Sequence, residues 1–489
     1  MINELKNIVG AENVLDDQET LELYSGDQSL TQARKPLAVV KVKNTEEVQK
    51  VVKLANEKLI PVTPSSSGIH FTGASLPSQG GIVMDLSGMN KILEIDTRNR
   101  KVKIEPGVTW QQLQEALKEH DQIPLNPLFP HPKTSALTST IEREPMLIPK
   151  YEYGDPILPM EVVLPTGDIF KTGTASDSHC EGAYPEGPGI DFYRFFVGAQ
   201  GTMGIITWLN MKTEYRPQKQ KAFFVAFNDL EEAADPIYQI QCRHVGNECF
   251  VLSRLLLASL LCEGDGGEFD KLMENLPPYT LCVIIAGAIR RPLERIEYEE
   301  EALMEIAANL NFQVKKTVGG VSGLGTTMID KIRNLPTDED HWKTTFENSS
   351  QDVFFTTTMD RAQDFTDTVL GYATTYGLSI EEIGVYMQPL ERGRACHLSF
   401  SFPCDLENEQ EKESIKELIE ELCKDLINDG AFFTRPYGPL ADMVYSKATG
   451  YATMLKELKK VFDPKGILNP VNFVIKHFLF LYIDGGFHG

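Results

Sequence analysis

The sequence predicts a mixed α+β protein built in two parts, and three observations carry that reading. Short apolar runs of strand length recur at close spacing from Leu37 to Glu105, interrupted by segments of helical periodicity. Beyond Arg216-Pro217 the pattern changes to strands separated by long amphipathic helices, as in an antiparallel sheet with helices on one face. At 489 residues the chain can also build two or more full cores.

Taken in order, Leu37 to Val42 reads as a strand. Asn44-Thr-Glu-Glu47 then opens a helix, with Val48, Val51, Val52 and Ala55 at helical spacing. Pro61 to Pro77 is a short strand running into a loop of small residues, and strands follow at Gly81–Leu86, Ile92–Ile95 and Val102–Glu105. Small residues there leave backbone N–H groups accessible, as a bound phosphate requires; an ordinary connection is the bland alternative. After Pro106-Gly107, Thr109 caps an amphipathic helix carrying Leu113, Ala116 and Leu117. The stretch from Pro124 to Pro156 has no period, and long loops of this kind in a compact domain are usually functional.

Strands resume at Met160–Leu164, before the turn Pro165-Thr-Gly-Asp168, and at Gly204–Met211. In the second part Ala222–Phe227, Thr280–Ala286 and His397–Phe402 read as strands, the last alternating cleanly. Helices are expected around 292–310 and 408–429. The segment from Leu458 ends as a helix stopped by Asp463-Pro464 and a glycine turn. No internal repeat is visible.

Composition excludes several classes. The 47 basic and 70 acidic residues leave a net charge of −23, which argues against nucleic acid or an anionic membrane as partner. Solubility is the plain reading of that acidity; docking of a basic protein is the sharper one. The 8 cysteines contain no C-x-x-C pair and the chain opens without a signal-peptide pattern, so reduced thiols and a cytoplasmic location are expected. Phe478 to Ile483 is far too short to span a membrane and reads as a core strand or a docking tail. The 9 histidines show no metal-ligand spacing, so no metal is expected. No G-x-G-x-x-G opens a βαβ unit, which argues against a nicotinamide domain.

The loop 61–77, the run Gly81–Gly107, the segment Glu161–Gly173, the block Pro185–Ile206 and the ending Phe462–Pro470 together resemble the vanillyl-alcohol oxidase / p-cresol methylhydroxylase flavoprotein superfamily. The resemblance implies a bilobal FAD-binding domain of two α+β subdomains, with an inserted antiparallel-sheet α+β cap. It places the FAD-binding domain at 1–215, the cap at 216–439 and a C-terminal return at 440–489. Thr140-Ile-Glu-Arg143, Tyr153-Gly-Asp155, Tyr184 to Asp191, Gln388 to Arg394 and Thr434-Arg435 resemble the branch that oxidises para-alkylphenols. The histidine-rich metal motif of the hydroxy-acid branch is absent. The chain also departs from the phenol branch: Thr72 and Thr434 stand where that branch carries two phenolate-binding tyrosines, and Leu137-Thr138 replaces a glycine pair near the flavin.

From the resemblance, Ser65, Ser66, Ser67, Gly68, Ile69 and His70 cradle the pyrophosphate. Pro106, Leu137, Thr138, Thr140, Ile141, Arg143, Tyr153, Gly154, Gly201, Gly204, Ile205, Ile206 and Arg435 supply further cofactor contacts. His70 lies one residue out of register with the flavin-linkage histidine of some relatives, so covalent attachment is not expected. Asp155, Arg435, Tyr437 and His397 are the candidate catalytic residues. A buried carboxylate can move a proton and a fixed guanidinium can hold a phenolate or carboxylate. Asp155 read alone is an Asx-turn residue before proline, Arg435 a salt-bridge partner and His397 a buried core histidine.

The resulting expectation is an FAD-dependent oxidoreductase taking hydride from the benzylic carbon of a para-substituted phenol or aryl alcohol. A 2-hydroxy-acid dehydrogenase of the glycolate or D-lactate type and a non-catalytic flavin-binding subunit are the alternatives. A protein electron acceptor, such as an electron-transfer protein or cytochrome, is favoured slightly over oxygen. Homo-oligomerisation is compatible with the sequence.

Overall fold

A computed structural model describes residues 1–470 except 32, 68, 149–155, 181, 263–265, 288 and 336–348. Three sheets organise these residues. The first contains β1 (Val14–Leu15), β2 (Ala38–Lys41), β3 (Val62–Ser65) and β4 (Ile82–Asp85), in the order β1-β2-β4-β3. β2 and β3 run parallel to β4, so their carboxyl ends open toward the same edge. The crossover helix Thr45–Lys58 starts where Asn44 accepts the Glu47 N–H at 2.9 Å, and it buries Val48, Val51, Val52 and Ala55 on the sheet. That is the expected cap and apolar stripe.

The second sheet is antiparallel, with β5 (Ile92–Asp96), β6 (Lys101–Ile104), β7 (Gln122–Pro124), β8 (Ile157–Val163), β9 (Ile169–Lys171) and β10 (Ile205–Tyr215). Its order is β5-β6-β10-β8-β9, with β7 pairing the far end of β10. A capping box at Thr109 and Gln112 starts the helix Trp110–Lys118, which seats Trp110, Leu113 and Leu117 in this lobe's core.

The third sheet is antiparallel throughout: β11 (Lys219–Phe227), β12 (Glu248–Ser253), β13 (Tyr279–Gly287), β14 (Ser350–Thr357), β15 (Gly384–Leu390) and β16 (Ala395–Pro403), in the order β11-β13-β12-β15-β16-β14. The helices Glu231–Cys242, Pro292–Leu310, Ala362–Thr375 and Glu409–Asn428 cover one face in a single core. The opposite face packs on the shorter helices Arg254–Leu261 and Leu324–Arg333 and receives Phe129 and Leu147 from the loop after β7. The alternation in β16 therefore has a physical meaning. Leu398, Phe400 and Phe402 enter the helix-covered core, while His397, Ser399 and Ser401 point at a cavity on the other face.

After β16 and its helix, the chain returns through Thr434–Tyr437 to the helices Gly438–Lys447 and Thr449–Phe462. Among the described residues no helix is long and apolar enough to cross a membrane.

Candidate functional site

Two cavities meet around Thr72, which lines both. The smaller, about 120 Å³, lies between the first two sheets at the carboxyl end of β3. Its wall takes Pro64 from β3, Ser66 and His70 from the loop after it, Pro106, and Leu137, Thr138, Ile141 and Glu142 from the helix Ala136–Ile141 and its end. Gln200, Gly201, Gly204, Ile205 and Ile206 close the far side. The Ser66 and Thr138 hydroxyls are 2.7 Å apart, a hydrogen bond that joins the two lobes across this cavity.

Gly201 sits in left-handed backbone (φ +70°), and a Cβ there would come within 2.6 Å of Pro64 Cγ. The close approach of loop to strand thus requires glycine. Asn469 holds the same junction from the C-terminal return, donating to Ala74 O at 2.9 Å and Gln200 O at 2.8 Å.

The larger cavity, about 310 Å³, lies against the face of the cap sheet that carries the shorter helices. Leu252, Leu256, Phe129, Phe354, Tyr386 and Met443 give it an apolar, partly aromatic wall, and Glu144, Asp352 and Glu420 also line it. Arg435 is buried there, with its guanidinium carbon 4.2 Å from the centroid of the Phe354 ring. Its Nε is buried without a hydrogen-bond partner. An arginine so placed offers donors to an anionic or hydroxyl oxygen in the cavity. His397 lies beside Phe354 and Tyr386, at ring-centroid distances of 5.9 and 5.6 Å. Tyr437 lines the same cavity and donates its hydroxyl to Glu142 Oε2 at 3.2 Å.

Of the cofactor candidates, Ser66, His70, Pro106, Leu137, Thr138, Ile141, Gly201, Gly204, Ile205 and Ile206 come together on the small cavity. Ser65 lies just behind it, its hydroxyl 3.1 Å from His70 Nε2, and Ser67 donates to Ile69 O. Burial lowers the His70 pKa and so favours a neutral ring. Thr140 instead turns into its own helix and donates to Ala136 O at 2.9 Å. Arg143 donates to Thr434 O at 2.7 Å and packs on Gly198, outside both cavity walls. Arg435, Tyr437 and His397 gather on the large cavity. Gly68, Tyr153, Gly154 and Asp155 lie outside the described residues.

Glu142 and Glu144 are site residues that the sequence reading passed over. Arg143 between them has φ +60°, and this left-handed residue re-aims the chain as the helix ends. Glu142 therefore borders the small cavity and Glu144 the large one. Glu142 stands in the segment Thr140-Ile-Glu-Arg143, but nothing in the sequence marks the contacts that make either carboxylate part of the site.

Comparison with known proteins gives the context for this geometry. Residues 36–173 match the family model described as FAD binding domain, and 441–473 match FAD linked oxidases, C-terminal domain. The glycolate oxidase subunit GlcD of Bacillus subtilis is 30% identical over 247 residues, covering 48% of this chain and 49% of that protein. The flavoprotein subunit of 4-cresol dehydrogenase (hydroxylating) from Pseudomonas putida is 28% identical over 285 residues, covering 57% of this chain and 54% of that one. A crystal structure of p-cresol methylhydroxylase with substrate bound superposes with TM-score 0.82 at 20% identity, covering 96% of this chain and 95% of the other. Residues 36–173 therefore carry an FAD-binding domain, and the chain shares the fold of p-cresol methylhydroxylase.

In sequence, the matched part of this chain spans about half the length of these two curated relatives. FAD is its cofactor, and the small cavity offers a donor set that fits the group. Hydroxyls from Ser66 and Thr138, small residues at Ala74, Ser75, Ala199, Gly201 and Gly204, and the carboxyl edge of the parallel strands can surround a diphosphate without a countercharge. Among the described residues, no cluster of histidine, cysteine or acidic side chains could hold a metal ion.

Proposed function

We propose that this protein is an FAD-linked oxidoreductase that takes hydride from the benzylic carbon of a para-substituted phenol or aryl alcohol. Residues 1–215 with 440–489 form the flavin unit in this reading, and 216–439 form the cap. The observation that carries it is the large cavity, an aromatic and apolar chamber with the buried guanidinium of Arg435 in its wall and a shared boundary with the cofactor cavity at Thr72. A ring would fill the apolar chamber, and Arg435 would hold its oxygen and stabilise negative charge there. Bound FAD supplies a two-electron acceptor for the hydride. Phe354 helps hold the guanidinium in place through the cation–π contact. The apolar wall excludes water, which strengthens the Arg435 interaction.

Oxidation of a 2-hydroxy acid is the second reading, favoured by the similarity to a glycolate oxidase subunit, and Arg435 would then clamp a carboxylate. The net charge of −23 supports delivery of electrons to a basic carrier protein in either case. A cytoplasmic location is part of the proposal.

Anaerobic mixing of the FAD-loaded protein with 4-alkylphenols, 4-hydroxybenzyl alcohols and 2-hydroxy acids separates the readings. Bleaching of the flavin absorbance by the aromatic set alone is expected. Bleaching by hydroxy acids alone would reverse the order of the two readings.

A further inference from the structure

We propose that Glu142 and Tyr437 form a proton path joining the substrate cavity to the cofactor cavity, with Tyr437 accepting the substrate hydroxyl proton as it passes its own to Glu142. The path rests on the aromatic-substrate reading above.

The geometry is specific. Tyr437 lines the large cavity, Glu142 lines the small one, and their 3.2 Å hydrogen bond crosses the wall between them. Three chain segments converge to make it. Glu142 is carried at the C-terminal end of the helix Ala136–Ile141; Thr434–Tyr437 brings in the phenol and the guanidinium; and Gln200 fixes that segment by donating to Pro436 O at 3.0 Å. Arg143 fixes it from the other side by donating to Thr434 O at 2.7 Å.

The charged and titratable groups acting on the pair are Arg435, Arg143 and Glu144. Burial is the largest influence on both members. It holds the Glu142 carboxyl above the usual carboxylate range, with the Tyr437 hydrogen bond, Arg435, Arg143 and the Gln200 N–H opposing it in part. It also holds the Tyr437 phenol well above its ordinary value, so the hydroxyl stays protonated as a donor. A carboxylate of raised pKa is a competent proton acceptor, where an ordinary surface glutamate would hold the proton too weakly.

The step balances. The substrate C–H bond breaks with its electron pair leaving as hydride, for which bound FAD is the oxidant. The substrate O–H bond breaks as its proton moves to the Tyr437 oxygen, the Tyr437 proton moves to Glu142, and the substrate gains a carbon–oxygen π bond.

Two readouts test the path in FAD-loaded protein. The first is the rate of anaerobic flavin reduction by 4-hydroxybenzyl alcohol against pH. Glu142 must be ionised to accept, so the wild-type rate rises with pH through a carboxylate pKa above its ordinary 4.5. Glu142→Gln loses that limb and is roughly 100-fold slower. Tyr437→Phe, which keeps the ring and removes only the hydroxyl, loses it as well, and Glu142→Asp recovers part of the rate.

The second readout involves no turnover: proton uptake on binding 4-nitrophenol, read from the dependence of binding enthalpy on buffer. Negative charge arriving beside Arg435 raises the Glu142 pKa further, so the wild type takes up a proton and Glu142→Gln does not. A wild-type pH limb or unchanged uptake in Glu142→Gln overturns the path while leaving the substrate reading intact. Failure of the wild type both to bind 4-nitrophenol and to be reduced by the alcohol overturns the aromatic reading and the path together.

Discussion

Arg435 shows what a single residue contributes in this site. Its charge could be supplied by lysine, but its planar face on Phe354 could not. Arg435→Lys is therefore expected to keep the fold and lower kcat/KM for the aromatic substrate roughly 10- to 100-fold, the loss of about 1.5–3 kcal/mol for a hydrogen bond to a charged group. Stopped-flow reduction and a thermal melt check the two halves of that statement; a wild-type kcat/KM would show that charge alone suffices. The residue scale also shows where sequence reading runs short. Arg435 is named from the resemblance of Thr434-Arg435 to the phenol-oxidising branch and Tyr437 from its place two residues on, and both line the large cavity. Glu142 was not legible, because its proposed role depends on a tertiary contact with Tyr437, 295 residues away in sequence, and such a contact has no local sequence signal.

At the scale of elements, capping chemistry and apolar spacing marked most of the first two sheets, since Asn44 and Thr109 make the hydrogen bonds that their positions imply. Strands β12 and β15 escaped for physical reasons. β12 is apolar on both faces and runs straight into the apolar helix Arg254–Leu261, so neither alternation nor a turn residue separates the two. β15 carries Pro389, which argues against an internal strand. Pro389 is tolerated because β12 pairs β15 only at Tyr386 and Met387, leaving the proline beyond that ladder. The C-terminal return was legible as a helix stopped by Asp463-Pro464, but what anchors it was not. Lys459 Nζ donates to Asp463 Oδ2 at 2.5 Å, Thr202 O at 2.5 Å and Leu468 O at 2.8 Å, all buried. Asp463 in turn accepts the N–H groups of Ile467 and Leu468. Lys459→Met should cost about 3–5 kcal/mol, because it leaves the Asp463 charge buried and unpaired. Urea unfolding measures it, and a loss below about 1 kcal/mol would mean that water replaces the ammonium group.

At the scale of the whole molecule, the small cavity is walled by the first two sheets alone while the large one takes residues from the cap sheet and from the loops at Ser29–Thr31 and Pro127–His131, and this predicts how the protein responds to its cofactor. The small cavity is walled by residues between Pro64 and Ile206, all from the first two sheets and their connections, with none from the cap sheet. FAD would therefore bind as a wedge between two lobes that otherwise touch there through the Ser66–Thr138 hydrogen bond and the Gly201–Pro64 contact. The cap keeps its own continuous core under four helices, to which the cofactor adds nothing directly. Binding to the folded state alone stabilises it by about 2.7 kcal/mol at a hundredfold excess over Kd. That stabilisation should be local. Hydrogen exchange on removing FAD is expected to quicken at 64–75, 137–142 and 199–206 and to stay unchanged in the cap strands β11 and β13. Equal quickening in both regions would show that the lobes and the cap unfold as one cooperative unit, with the cofactor acting on the stability of the whole chain.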